Sequence, residues 1–377
     1  MYLKATSMSK QIGNTKTVWV KLIGHTYPIH IGQNIFSMLA DELIRLDWKG
    51  KVGLITDEQV AKYYLDICEQ VLKKACQQGY VIHILPVGEE YKTLEQIEHI
   101  CTTMLEGGLD RSSGIIAMGG GVVGDVAGFF ASSYMRGIPF IQIPTTIVSQ
   151  VDASIGGKTG VNHPLGKNIL GAFYQPQLVL IDLNFLKTLP ERIYREGFAE
   201  IIKHGVIADQ ELFEYCLIHA EIMLHKNLEA LTYPIVRSCE IKADIVMKDE
   251  KEQNIRAYLN YGHTFGHAFE SVTNYQKFLH GEAVSIGMVS SAELAVLMGY
   301  VNDEIPKLHR EVLRKYNLPV AWQDIPVDKV IQSMYRDKKT KVGKLRFILP
   351  KKIGEVTIVS NIPEDSIRQA LSRIMQG

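Results

Sequence analysis

This chain of 377 residues has few cysteines, no net charge and no long apolar run. Its five cysteines form no CxxC pair and are odd in number, which fits a reducing compartment better than a disulfide framework. Lysine plus arginine and aspartate plus glutamate both number 41, so no charge excess attracts a polyanion, and nucleic acid is not expected as a partner. No apolar run approaches the roughly 20 residues that cross a bilayer, and residues 1–15 lack a secretory-type apolar stretch. These absences predict a cytoplasmic protein without a membrane partner.

Length and composition predict a folded chain of two domains. Hydrophobic residues make up 46% of the chain and charged residues 22%, which excludes wholesale disorder. At roughly 150 residues per domain, two domains are expected. We expect a loose polar leader over residues 1–16, an α/β domain over 17–189 and a mostly helical domain over 190–377.

The order of apolar patterns predicts these two fold classes. Short β-branched runs such as TVWVKL, KVGLITD and VIHILPV alternate with helical patterns, which indicates a Rossmann-like α/β layer with parallel strands. From about Pro190 the apolar residues recur with a helical period. The glycine-rich stretch DASIGGKTGVNHPLGKN interrupts the first pattern, and we expect a ligand-facing loop there.

A strand, a glycine turn and a helix start surround the segment Gly119 to Asp125. This segment formally matches GxGxxG, in which glycine lets backbone N–H groups approach a pyrophosphate at a helix N-terminus. The acidic residue expected about 20 positions later is missing, since Pro144 lies near that position. A tight packing turn is therefore an equal alternative. Asp57 ends the strand KVGLITD and could bind ribose hydroxyls instead, or be an ordinary turn aspartate.

Histidine is concentrated in one short region. His263 and His267 lie four residues apart and share a helical face, and His280 follows. With a carboxylate, for which Glu200 is the best candidate, such a set would hold zinc and leave a coordination position for substrate. Buried, satisfied histidines or solvent-facing ones are the alternative.

Cations near these motifs indicate a local anionic substrate. A phosphate or carboxylate would be held through charge-assisted hydrogen bonds, although any single cation could equally be a solvated surface charge. The residues are Arg136, Lys158, Lys167, Lys242, Arg256, Lys338 and Lys339.

Seven long motifs in fixed order resemble the 3-dehydroquinate synthase family over about residues 50 to 350. They are GEEYKTLE, GGGVVGDVAGFFASSYMRGIP, PTTIVSQVDASIGGKTGVNHPLGKNILGAFYQP, EGFAEIIKHG, RAYLNYGHTFGHAFE, HGEAVSIGM and RDKKTKVGKLRF. The resemblance implies an NAD-dependent homodimer that uses a divalent metal, zinc or alternatively cobalt. It also implies a nucleotide-binding α/β domain followed by a helical domain with the metal site.

The resemblance also assigns roles residue by residue. Glu200, His263 and His280 are expected metal ligands, and His267 becomes an active-site polar residue instead of a ligand. Expected cofactor contacts are Asp57, Glu89, Lys92, Gly120, Gly121, Val122, Val123, Gly124, Asp125, Thr145, Thr146, Asp152, Lys158, Lys167, Phe185, Leu186, Lys187 and Thr188. Expected catalytic and substrate residues are Lys158, Asn168, Lys203, Lys242, Arg256, Asn260, His267, Lys338 and Lys339, with Arg136 reaching the phosphate of the neighbouring subunit.

One departure from the family pattern is Asn254, where the family commonly has glycine. Asparagine tolerates left-handed backbone better than most residues, so we expect Arg256 to keep its place.

The implied reaction converts 3-deoxy-D-arabino-heptulosonate 7-phosphate, a phosphorylated sugar acid, to 3-dehydroquinate and phosphate. It would proceed by transient oxidation with NAD, β-elimination of phosphate, re-reduction, ring opening and aldol closure. A cyclase of the deoxy-inosose or valiolone type shares the machinery, but its substrate lacks the carboxylate. A metal-dependent polyol dehydrogenase would consume NAD, and a non-catalytic nucleotide-binding regulator should have lost ligands that this chain keeps.

Overall fold

A computed structural model describes residues 10–12, 15–338 and 345–375. Contacts within the chain divide it between Leu189 and Pro190 into an N-terminal and a C-terminal unit. Within the described ranges, each helix is too short or too polar to span a membrane.

The N-terminal unit is built on an eight-stranded sheet. Its strands are β1 (Lys10–Ile12), β2 (Thr15–Leu22), β3 (His25–Gly32), β4 (Val52–Asp57), β5 (Tyr80–Leu85), β6 (Gly114–Gly119), β7 (Phe140–Pro144) and β10 (Leu178–Asp182). They are ordered β1-β2-β3-β10-β7-β6-β4-β5. The pairs from β3 through β10 to β5 are parallel, and β1 and β2 are antiparallel additions. The expected parallel α/β layer is confirmed.

Helices cover both faces of this sheet because its strands are apolar on both sides. The helices are α1 (Met38–Leu46), α2 (Glu58–Ala75), α3 (Leu94–Glu106) and α4 (Gly121–Ser133). On β6, Ile116 and Met118 join the core of one face, which holds residues of α1 and α2. Ile115 and Ala117 join the other core, which holds residues of α3 and α4. Period-2 alternation thus supplies two cores from one strand.

Two expectations for this unit are wrong. Residues 1–16 are not wholly a loose leader, because β1 pairs with β2 and sets Lys10 opposite Thr17. The glycine-rich stretch is not a loop but a hairpin of β8 (Lys158–His163) and β9 (Gly166–Phe173). Gly160 faces Gly171, where a Cβ on Gly160 would lie 2.6 Å from the Leu170 carbonyl oxygen, so glycine permits close strand pairing.

The C-terminal unit is mostly helical, as expected. Its helices are α5 (Glu191–Glu196), α6 (Phe198–Ala208), α7 (Gln210–Ile218), α8 (Ala220–Leu224), α9 (Leu228–Lys248), α10 (His263–Val272), α11 (His280–Leu297), α12 (Glu304–Lys315), α13 (Val327–Lys338) and α14 (Glu364–Ile374). A hairpin of β11 (Arg346–Lys352) and β12 (Glu355–Ser360) is added to them. Helix α11 is buried along most of its length and packs against α6, α10, α12 and α14, so it is the centre of this unit.

Candidate functional site

The sheet reverses its order between β4 and β6, and two candidate nucleotide-binding segments follow these strands. From β4 the chain continues through α2 to β5 on one side, whereas from β6 it continues through α4 to β7 on the other. Open α/β sheets bind ligands outside the carboxyl ends of their strands at such a switch point. Asp57 ends β4 and Gly120 follows β6, so both lie at this edge.

The glycine turn starts α4 without a side-chain cap. Gly120 is the N-cap and has no side chain to satisfy the first N–H groups of the helix, while Gly120, Gly121 and Val122 are only half-buried. An anionic pyrophosphate suits this end of the helix, so the turn fits a dinucleotide. Asp57 instead caps α2, its Oδ1 accepting a hydrogen bond from the Val60 N–H at 2.8 Å. Burial raises the pKa of Asp57.

Lys92 connects the glycine-turn helix to the β8–β9 hairpin. Its side chain is nearly fully buried, and its Nζ lies 2.5 Å from both Asp125 Oδ2 and Asn168 Oδ1. Glu89 contacts the same hairpin, accepting from Asn162 Nδ2 at 2.9 Å and lying 3.6 Å from Lys167 Nζ. Because the Asn168 N–H donates to Asn162 Oδ1 at 2.9 Å, five of the candidate residues belong to one polar network with Asn162, which sequence reasoning missed.

The remaining candidates of this unit differ in exposure. Thr146, Asp152 and Thr188 are half-buried, Lys158 and Lys187 are exposed, and Val123, Gly124, Thr145, Phe185 and Leu186 are buried. The Phe185 ring packs edge-on against Tyr64, with centroids 4.8 Å apart, in the core. A cofactor contact from Phe185 would have to use its backbone, since the side chain is occupied by packing.

Three elements of the C-terminal unit bring together Glu200, His263 and His280. Glu200 lies in the first turn of α6, His263 begins α10 and His280 begins α11. The Glu200 Oε1 atom lies 3.7 Å from His263 Nε2 and 3.6 Å from His280 Nε2. Ligand atoms around tetrahedral zinc, at bonds of roughly 2.0–2.1 Å, are separated by about 3.3 Å, so this donor set fits a divalent metal.

The second nitrogen of each imidazole has its own partner. His263 Nδ1 lies 3.0 Å from the Tyr261 carbonyl oxygen, and His280 Nδ1 lies 3.2 Å from Glu270 Oε1. In the neutral rings, both contacts favour the proton on Nδ1 and leave the Nε2 lone pair on the side of Glu200. Sequence reasoning missed Tyr261 and Glu270. The spacing HxxxHxxE puts Glu270 two helical turns after His263 on α10, but it does not show that Glu270 contacts His280.

The two imidazoles have opposite pKa shifts. Burial lowers the pKa of His263 to about 3, opposed by the Glu200 carboxylate and assisted by the Lys203 charge. Burial also acts to lower the pKa of His280, but hydrogen bonds to Glu200 and Glu270 outweigh it and raise the value to about 10. Metal binding at neutral pH would therefore have to displace a proton from His280.

His267 is exposed, and its ring centroid lies 5.4 Å from that of His263. It belongs to a second group of possible ligands, with Glu270 and His280, and not to the group of Glu200, His263 and His280.

Buried cations occupy the elements packed around Glu200. Lys203 forms an ion pair with Glu200 one turn along α6, and both side chains are almost fully buried. Lys242 on α9 and Arg256 on the 3₁₀ segment Ile255–Asn260 are at least 95% buried, and both elements pack against α6. Such desolvated cations are suited to anionic groups.

Arg256 and Asn260 are held by the preceding loop. Asp249 accepts the Arg256 N–H at 3.0 Å, and Glu252 accepts from Asn260 Nδ2 at 2.7 Å. Asn254 has φ −140°, and the left-handed residue of this loop is Glu252, with φ 57°. The tolerance of asparagine for left-handed backbone is therefore not what places Arg256.

Three candidates remain, namely Arg136, Lys338 and Lys339. Arg136 is exposed and left-handed, with φ 72°, after Met135 at φ 50°. Lys338 ends α13, and Lys339 lies outside the described residues.

Comparisons with known proteins identify the family. The family model described as "3-dehydroquinate synthase N-terminal" matches residues 82–196. The family model described as "3-dehydroquinate synthase C-terminal" matches residues 197–340. The chain is 47% identical to a 3-dehydroquinate synthase of Shewanella halifaxensis over 95% of this chain and 99% of that protein. It is 44% identical to a 3-dehydroquinate synthase of Thermodesulfovibrio yellowstonii over 94% and 98%.

A solved structure shares the fold. The 2-epi-5-epi-valiolone synthase of Streptomyces hygroscopicus, solved with NAD⁺ and Zn²⁺ bound, superposes with a TM-score of 0.85 at 29% identity. The match covers 92% of this chain and 96% of that one. The two family models match consecutive segments of this chain, and the relatives align with it over nearly their full length. This chain therefore belongs to the 3-dehydroquinate synthase family.

Proposed function

We propose that this chain is a phosphate-eliminating lyase that converts 3-deoxy-D-arabino-heptulosonate 7-phosphate to 3-dehydroquinate. The observation that carries the proposal is the donor set of buried Glu200, buried His263 and half-buried His280, with buried cations on the elements packed around it. A divalent metal held by these residues, most simply zinc or alternatively cobalt, would supply a Lewis acid, and NAD would supply a hydride acceptor.

The residues of the chain bind and orient the substrate. Lys242 and Arg256 are our candidates for its carboxylate, because a buried cation is worth most against a desolvated anion. Lys158 and Asn168 are our candidates for its phosphate. Lys203, which forms an ion pair with Glu200, orients the carboxylate.

The nucleotide would bind at the switch point of the N-terminal unit. The glycine turn at the start of α4 would receive the pyrophosphate. We assign the other cofactor roles to the polar residues that follow β4, β6 and β7 and to the β8–β9 hairpin, with Lys92 acting through Asp125 and Asn168.

We further propose a homodimer in which Arg136 serves the phosphate of the partner subunit. The arginine is exposed on a left-handed turn, where its side chain can reach another molecule.

The five cysteines are all free thiols, which supports a cytoplasmic location. The proposed product would place the enzyme in the shikimate pathway of aromatic amino acid biosynthesis.

Phosphate release tests this function and separates it from the related cyclases. With NAD and zinc, we expect release from the heptulosonate phosphate and none from sedoheptulose 7-phosphate, a seven-carbon sugar phosphate without a carboxylate. Exhaustive chelation should abolish release while the far-UV circular dichroism stays unchanged, because a three-ligand site with an open position is catalytic instead of structural. Preference for the uncarboxylated sugar would contradict the proposal.

A further inference from the structure

We propose that Glu270 is a positioning residue that orients His280 toward the metal and thereby sets the metal affinity of the site. The inference rests on the proposed function only in so far as Glu200, His263 and His280 hold a metal. It assigns to a residue outside that set a role that the spacing of the ligands does not reveal.

The backbone around His280 is fixed independently of its ring. At the start of α11, Glu282 Oε2 accepts the Leu279 N–H at 2.9 Å, and Glu196 Oε2 accepts the Gly281 N–H at 2.8 Å. A Cβ on Gly281 would lie 2.0 Å from the Glu196 carbonyl oxygen, so only glycine allows this approach. The remaining freedom of His280 is therefore the rotation of its side chain.

Glu270 restricts that rotation. Its side chain is 4% exposed, and its Oε1 lies 3.2 Å from His280 Nδ1, on the opposite side of the ring from the Nε2 that faces Glu200. Helices α10 and α11 pack against each other, which holds donor and acceptor in place. A flipped ring would set a carbon against the carboxylate, so the contact selects both the tautomer and the orientation.

His263 does not need such a side chain. Its Nδ1 faces the carbonyl oxygen of Tyr261, a backbone acceptor two residues away. The two imidazoles are thus oriented by different means, and only that of His280 depends on a replaceable side chain. A carboxylate acceptor also makes the imidazole a stronger metal ligand than a neutral carbonyl acceptor does.

A competing arrangement uses the same residues. His267, Glu270 and His280 also offer atoms within 4.8 Å of one another, so Glu270 could itself be a ligand. In that arrangement His267 would be essential for metal binding, whereas in ours it is dispensable for metal binding. This difference makes the two arrangements separable.

Zinc affinity measured without NAD or substrate tests the inference. Metal-free protein is titrated with zinc in competition with a chromophoric chelator. Glu270→Gln keeps the size and an acceptor oxygen but loses the charge, and we expect the Kd to rise about tenfold; for Glu270→Ala the rise should approach 100-fold. In cobalt-loaded protein, the visible absorption of Glu270→Gln should shift, because the His280 ring is less constrained.

Glu293→Gln is the matched control. Glu293 lies in α11, is buried to a similar extent and pairs with Arg310 and Arg373 instead of a histidine. We expect it to lower the thermal midpoint of the metal-free protein and to leave the zinc Kd within about threefold of the starting value, within the usual scatter of such measurements.

Each other outcome has a defined meaning. Folded Glu270→Gln and Glu270→Ala proteins with unchanged zinc affinity and cobalt spectrum would overturn the inference. So would a loss of affinity in His267→Ala that exceeds the loss in His263→Ala, since the metal would then lie in the group His267, Glu270 and His280. A starting protein that binds no zinc would contradict the proposed function itself.

Discussion

At the scale of single residues, burial keeps the imidazole of His309 uncharged. His309 on α12 is fully buried, its Nδ1 donating to the Ile305 carbonyl at 2.8 Å and its Nε2 accepting from the Tyr261 hydroxyl at 2.9 Å. Burial lowers the pKa of His309 to about 4, opposed by the Ile305 contact and assisted by the Arg310 charge. The neutral ring is therefore part of the folded structure.

This pKa shift predicts acid sensitivity. Between pH 6.5 and 4 the unfolded chain binds a proton at His309 that the folded chain does not, so the stabilisation is complete above pH 6.5 and is lost as the pH falls. A shift of this size is worth about 3 kcal/mol in the free energy of unfolding. We expect His309→Gln to reduce the pH dependence of the free energy of unfolding by about 3 kcal/mol between pH 4 and 6.5. Urea titration of the metal-free proteins at several pH values measures this change. The exposed His163→Gln is the control, and an equal slope in all three proteins would contradict the assignment.

The residue scale also shows what the sequence could predict. Glu200, His263 and His280 could be found because motifs in fixed order carry them. Glu270 could not be recognised as the partner of His280, because the contact depends on how α10 packs against α11. The cofactor contact of Lys92 stays a prediction, and the contacts of its buried Nζ with Asp125 and Asn168 could not be foreseen, because they depend on the fold.

At the scale of elements, the β8–β9 hairpin presents Lys158, Lys167 and Asn168 from one compact unit. Alternating strand and helix patterns predicted the parallel sheet correctly, since both periods are strong there. The hairpin was expected to be a loop, because glycine weakens the strand pattern and the close facing of Gly160 and Gly171 is visible only in the fold. The β11–β12 hairpin was not foreseen in a helical region.

The facing glycines make a prediction for this hairpin. In Gly160→Ala, the new Cβ would lie 2.6 Å from the Leu170 carbonyl oxygen, so the strands must separate. We expect a loss of about 1–3 kcal/mol in stability and a raised KM for the phosphorylated substrate. Leu165→Ala, at a side chain that is 90% exposed, should change neither quantity. Unchanged KM and stability in Gly160→Ala would show that the hairpin does not require this close pairing.

At the scale of the whole molecule, the proposed role of Arg136 predicts complementation between subunits. Arg136→Ala and Lys203→Ala should each be nearly inactive. If the two exchange randomly at equal amounts, half the dimers are mixed and each restores one site of two, so activity should recover to roughly a quarter of the starting value. Verified mixed dimers without recovered activity would show that Arg136 serves its own subunit.

The balance of NADH during phosphate release tests the central claim most directly. A chain of this family that oxidises and re-reduces one substrate within a turnover should require NAD and accumulate no NADH. We therefore predict phosphate released in proportion to heptulosonate phosphate consumed, with flat absorbance at the NADH band. Absorbance that rises in proportion to the substrate consumed would contradict the account and indicate a polyol dehydrogenase.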